Sequence, residues 1–269
     1  MANTKELIAQ GDLTAALQEV TRELRENPAE MTARVTLFEL LCLTGELDRA
    51  EKHLDIIEQQ RAQKDLGVQV YRNCLKAERE RRQVFNEGHE PHFLSVPPSY
   101  VDLHLQAISL ARQGEHQQAR ELLDRAEEER PAQLGRLNDS PFKDFRDYDD
   151  FVGPVLELIV HDKYTWVPFE HLKRIEVQPP KQLRDMIWSS ARLISTSGVE
   201  GEVLVPVVYA GTSASSNDAV RLGRLTEWVE LNSDLYRAIG LKTFLIDDQD
   251  HPIFAAKSVD FDRSAAVQA

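Results

Sequence analysis

Through the first 130 residues, apolar positions recur three and four apart, the spacing of helices with one buried face. Leu37, Phe38, Leu41, Leu54 and Ile57 fill one such stretch, and Leu103, Ala107, Leu110, Leu123 and Ala126 another. The punctuation between them repeats. Gly11-Asp12 is followed by Ala16 and Pro28, Gly45-Glu46 by Ala50 at the same offset, and Gly114-Glu115 by Ala119 and Pro131. From Gly11 to Gly45 is 34 residues, the length of one tetratricopeptide unit, and from Gly45 to Gly114 is 69, close to two. Each mark has a physical task. A glycine lets the chain turn at positive φ after the first helix, a small alanine lets the second helix approach closely, and a proline ends it.

Residues 65–88 carry the same period without a glycine; Arg79 stands where the turn would fall, so one long helix is expected. The proline-rich stretch 88–98 reads as an irregular connector, and its His89 and His92 as loop residues rather than metal ligands. Beyond Pro131 the period changes. The aromatic-aspartate stretch 139–151 fits no calcium-loop template and reads as a linker docking its aromatics on the next domain. Strand-like runs come next: 155–160 and 164–169 as a hairpin, then 174–177, 191–195, 203–209 and 225–231, with a last hairpin of 243–246 and 253–256. A short helix is expected over 181–188.

The expected architecture is therefore multi-domain α and β. An all-α TPR-like domain over 1–131 and a linker over 132–153 precede an α+β domain with a mostly antiparallel sheet over 154–262, and 263–269 is a frayed tail.

Composition narrows the function classes. The 269 residues carry a formal charge of −13, spread evenly: residues 1–130 hold 17 Lys/Arg against 24 Asp/Glu. Such a surface repels phosphate backbones, so nucleic acid is not expected as a partner. The one basic knot, Arg79, Arg81 and Arg82, alternates with Glu78 and Glu80 as a solvated helix face would. Cys42 and Cys74 in apolar helices make no disulfide framework, the N-terminus lacks a signal peptide's apolar core, and no run nears the ~18 apolar residues of a membrane span. A cytoplasmic protein without membrane association is expected.

No phosphate loop, dinucleotide fingerprint, zinc-protease helix or nucleophile elbow is present. The hydroxyl-rich loop 211–218 has one glycine, no lysine and no expected helix behind it, so it reads as a surface loop. Ser189 or Ser190 with His171 and Asp185 is a trio that chance supplies in a chain this long. No catalytic residue, metal or cofactor is expected. A binding surface is. In register with the repeat, Thr32, Val35, Glu39, Cys42 and Leu43 face the concave side of one unit, and Val101, His104, Ile108, Ala111 and Arg112 that of the last. Two apolar strips with polar teeth suit an amphipathic helix laid in a groove, unless the 65–88 helix or the second half already covers them.

The second half also carries longer motifs. Trp166-Val167-Pro168-Phe169-Glu170-His171-Leu172 is followed by Pro179-Pro180-Lys181-Gln182-Leu183-Arg184-Asp185 and Ala191-Arg192-Leu193. Glu202 through Pro206, Tyr209 and Thr212, and then Leu222-Gly223-Arg224-Leu225-Thr226-Glu227-Trp228, complete the set. In this order they resemble the ImpE family, also called TagJ, of type VI secretion accessory proteins; Ala210-Gly211-Thr212 departs from an expected Pro-Gly-Ser-like turn. The resemblance implies a non-catalytic adaptor that binds the N-terminal helix of the small sheath subunit and is linked to the AAA+ ATPase that disassembles the contracted sheath. The alternative is a small-molecule-binding or hydrolytic second domain, regulated by the repeats, in which Arg184, Asp185 and Arg224 would converge on a pocket.

Overall fold

Seven helices open the chain in the computed structural model, which describes residues 2–60, 66–232 and 234–263. They are α1 (Ala2–Gln10), α2 (Leu13–Glu26), α3 (Met31–Leu43), α4 (Leu47–Gln60), α5 (Leu66–Glu87), α6 (Ser99–Arg112) and α7 (His116–Glu129). Gly11, Gly45 and Gly114 sit in the turns of the three hairpins α1–α2, α3–α4 and α6–α7, all at positive φ. Ala16, Ala50 and Ala119 are fully buried one turn into the second helices. Helix α5 runs unbroken past Arg79, and its C-terminal part packs on the sheet.

The connector after α5 is less irregular than its prolines imply. His92–Phe93 forms β1, pairing in parallel with Thr165 and Trp166 at a sheet edge. The stretch 132–153, expected as a linker, instead holds three strands, β2 (Gly135–Leu137), β3 (Ser140–Phe142) and β4 (Phe145–Asp147), and a 3-10 turn over Asp150–Val152. Pro141 is tolerated because β3 is an edge strand. The aromatics of this stretch do dock: Phe142, Phe145 and Phe151 are all buried.

The remaining strands are β5 (Val155–Val160), β6 (Lys163–Pro168), β7 (Leu172–Val177), β8 (Trp188–Ser195), β9 (Glu200–Pro206), β10 (Thr226–Asn232), β11 (Leu235–Gly240), β12 (Thr243–Ile246), β13 (Gln249–Pro252) and β14 (Ser258–Phe261). Nine of them form one sheet in the order β1-β6-β5-β9-β8-β7-β14-β2-β3, antiparallel at every junction except β1–β6. A three-stranded sheet (β13-β12-β4) and the β10–β11 ribbon complete the structure. The helix expected over 181–188 is a 3-10 turn, Leu183–Met186, closed by a capping box of Gln182 and Asp185. The last hairpin turns at Asp247-Asp248, so its return strand is 249–252 rather than 253–256. Asp247 holds that turn by accepting from the amides of Lys143 and Asp144. Residue 263 is not frayed: Arg263 donates to the carbonyls of Leu172 and Phe169 and to Gln133. The tail beyond it lies outside the described residues.

Strand period two divides the main sheet between two cores. On β5, Val155 and Ile159 join one continuous cluster with the helices, while Leu156 and Leu158 turn to a second. The second is aromatic: Phe145 lies 4.9 Å from Phe169 edge-on and 4.9 Å from Phe244, with Phe142 and Phe261 close by. The first cluster has no seam at residue 131, running from Leu13 through the repeats to Trp166, Trp188 and Tyr209.

Glu157 shares the helix-facing side of β5, and a carboxylate there must be paired. Arg81 of α5 donates to it from Nε (2.8 Å) and Nη2 (3.1 Å), and Lys242 from Nζ at 2.7 Å. Lys242 also reaches Asp147 at 2.7 Å, so two cations meet two carboxylates, all four at most 2% exposed. The Tyr164 hydroxyl donates to Glu157 and accepts from Trp166 Nε1; the Tyr209 hydroxyl donates to Asp147 and accepts from the Thr243 amide. Burial alone would raise the Glu157 pKa, but Arg81 and Lys242 hold it far below the carboxylate range. Removing one member strands a buried charge. Lys242→Met is expected to cost about 3–5 kcal/mol in urea unfolding. Lys76→Ala, which breaks an exposed pair with Asp162, is expected to leave the urea midpoint nearly unchanged.

Candidate functional site

The groove expected on the concave face is closed by the protein's own chain. On α3, Thr32 is exposed and Val35 half-buried, but Glu39, Cys42 and Leu43 are buried. Cys42 and Leu43 face Ile187, Trp188, Tyr209 and the Thr212–Ser213 turn across a remnant of about 40 Å³. Arg82 of α5 donates to the Gly45 carbonyl at 2.9 Å and helps seal the same end. On α6, Val101 is fully buried and His104 is 3% exposed. His104 lies against the Asp150–Phe151 backbone, and burial pushes its pKa down to about 4, so it stays neutral. The two apolar strips are indeed surfaces that need covering. The cover is internal because the sheet half supplies complementary side chains at far higher effective concentration than any partner.

Some motif positions of the second half contribute to that closure. Trp166 and Tyr209 belong to the buried ionic cluster, Pro168 ends β6, and Phe169 just after it sits in the aromatic core. Beyond the exposed Pro180, Leu183 packs against the helical core from its 3-10 turn, and Arg184 donates to the Tyr71 hydroxyl of α5. Asp185 caps the turn by accepting from the amides of Lys181 and Gln182. Pro206 ends β9. Gly223 turns at φ +65°, where a Cβ would stand 3.0 Å from Val208. Arg224 caps the C-terminus of α1 by donating to the carbonyls of Ile8 and Ala9. Trp228 is 41% exposed, edge-on to Tyr148 at 4.7 Å. The loop 211–218, expected without a helix, holds a 3-10 turn and leads into one-turn α8 (Asp218–Arg221), whose Asp218 accepts from the Thr14 amide of α2. Leu183, Arg184, Asp218 and Arg224 fasten repeats to sheet.

The small-molecule alternative needs Arg184, Asp185 and Arg224 together, and they are apart. Arg184 and Asp185 edge an open crevice of about 200 Å³ with Tyr71 and Trp188, below the usual ligand-site range of about 300–1,000 Å³, while Arg224 lies against α1. Ser189 donates its hydroxyl to the Gln178 carbonyl, and His171 pairs with Ser95 and Glu170, so the serine trio does not assemble either. No cluster of three metal-ligating side chains occurs among the described residues. What stays open lies at the end of the α6 strip. Ile108, Ala111 and Arg112 border a crevice of about 190 Å³ with Phe85, Asn86, Phe151, Leu231 and Arg237.

The tetratricopeptide repeat family matches residues 7–67 and the ImpE protein family residues 139–260. The type VI secretion system accessory component TagJ of Pseudomonas aeruginosa is 35% identical over 262 residues, 97% of this chain and 92% of that protein. This chain belongs to the ImpE/TagJ family. The crystal structure of protein VPA1032 from Vibrio parahaemolyticus has the same fold, with a TM-score of 0.91 over 99% of this chain and all of that one, at 24% identity. The ImpE match takes in the whole aromatic stretch 139–151, consistent with those residues being part of the sheet assembly.

Closing the groove also leaves an acidic side chain in an unfavourable place. Burial pushes the Glu39 carboxyl up to about 7, with Arg184 opposing the shift and Asp185 adding to it. Its folded pKa exceeds its unfolded value near 4.5, so folding favours the protonated form. The charged side chain therefore costs nothing below pH about 4.5, progressively destabilises as pH rises, and exerts its full penalty above pH about 7. Glu39→Gln is expected to stabilise the protein at pH 8 by up to about 3 kcal/mol, and the gain should vanish near pH about 4.5. Thermal melts of both forms across this range check it; a pH-independent difference contradicts it.

Proposed function

We propose that this chain is a non-catalytic cytoplasmic adaptor of a type VI secretion system, binding the N-terminal helix of the small sheath subunit and linking it to ATPase-driven sheath disassembly. The observation that carries the reading is the 35% identity, over nearly the full length of both chains, to a protein named as an accessory component of that system. Helical hairpins of the tetratricopeptide type commonly present surfaces to partner helices, which supports a protein partner. No helix among the described residues is long and apolar enough to cross a membrane. With the central groove filled, the partner helix engages an outer surface, and modest affinity follows from the smaller apolar area on offer.

Titration calorimetry of the full chain against the intact small sheath subunit, and against one lacking its N-terminal helix, tests this. Binding with a Kd of about 1–100 μM, lost with the helix, is expected. Absence of binding to the intact subunit, or equal affinity without the helix, contradicts it.

A further inference from the structure

Most arginines of this acidic chain find a carboxylate within 4 Å; Arg112 and Arg237, which flank the open crevice, have none among the described residues. Arg112 keeps its charge available, while that of Arg237 is shared with the nearby buried Asp149. Arg112, at the end of α6, is exposed and makes only long contacts, 3.4 Å to the Asn86 carbonyl and 3.5 Å to Ser109 Oγ. Arg237 of β11 lies over the rings of Phe85 (4.8 Å) and Phe151 (5.8 Å) and reaches the Ala210 carbonyl at 3.4 Å. Between them the crevice is walled by Phe85, Ile108, Ala111, Phe151 and Leu231. At about 190 Å³ it is too small for most metabolites, yet it accommodates one bulky apolar side chain.

We propose that this crevice seats an acidic amphipathic helix: one apolar side chain enters it, and carboxylates one turn away on the same face pair with Arg112 and Arg237. Two cations beside an apolar socket, on a protein of charge −13, select a negatively charged segment that the rest of the surface repels. Positions three or four apart on a helix share a face, so a single turn delivers both the anchor and the charge. The assignment rests on the adaptor reading above and gives it a surface.

The test is fluorescence anisotropy with a labelled peptide of the small sheath subunit's N-terminal helix, titrated with the full chain. Arg112→Glu and Ala111→Trp, the second filling the socket, should each weaken binding at least tenfold, and binding should weaken with added salt. Arg25→Glu, the same charge change on the outer face of α2, should alter it less than twofold. Arg237→Glu should match Arg112→Glu; it also removes ring stacking, so its melting temperature is compared with wild type before its affinity is read. If the peptide binds wild type and the Arg112 and Ala111 variants within twofold of one another, the crevice is overturned and the adaptor reading stands. No binding to wild type overturns both. A concentration-dependent dimer abolished by the same variants would assign the crevice to a second copy of this chain and overturn the proposal.

Discussion

A carboxylate on the inward face of a central strand sets the terms for this molecule. Glu157 is 1% exposed, and a charge so placed is tolerated only if opposite charges reach it from fixed directions. One comes from helix α5 and the other from the start of β12, through Arg81 and Lys242, which meet at the same carboxylate from opposite ends of the sequence. Neither half can satisfy the group alone. The ionic cluster therefore specifies one docking of repeats on sheet, while the surrounding apolar contacts supply most of the affinity between them.

That docking decides what the repeats can do. Tetratricopeptide hairpins commonly offer a concave groove; here Trp188, the 183–186 turn and the 150–152 turn fill it. Family motif residues that resemble a binding site by their polarity, such as Arg184 and Arg224, spend their hydrogen bonds on Tyr71 and on the end of α1. What stays uncovered of the α6 strip lies at the rim, where the end of α6 and the β10–β11 ribbon set apolar side chains beside Arg112 and Arg237.

The parts legible in the sequence are those governed by neighbours in the chain. Glycine at a hairpin turn, alanine at a helix crossing and the apolar runs of β5 and β6 act within a few residues and survive in the pattern. Strands β2 to β4 do not, because Pro141 and five aspartates imitate a linker; only long-range pairing of β2 with Val259 and Asp260 and of β4 with Phe244 reveals them. A signal for β14 is present in the alternation of buried Val259 and Phe261, masked by its nearness to a polar tail. The closure of the groove is not legible at all: a strip of Val35, Glu39 and Cys42 looks the same whether its cover is intramolecular or foreign. Arg81 looks like one charge among several on a solvated face, and its partner stands 76 residues away.

The dependence of repeats and sheet on one another is open to a direct measurement. All three tryptophans (Trp166, Trp188 and Trp228) lie beyond residue 150, whereas nearly all the helix lies before residue 130. Urea unfolding of the full chain, followed together by circular dichroism at 222 nm and by tryptophan fluorescence, compares the two halves in a single sample. One shared midpoint and slope is the result this account predicts. Helix loss and tryptophan exposure at separate urea concentrations would mean that the halves stand independently and that the buried cluster does not join them.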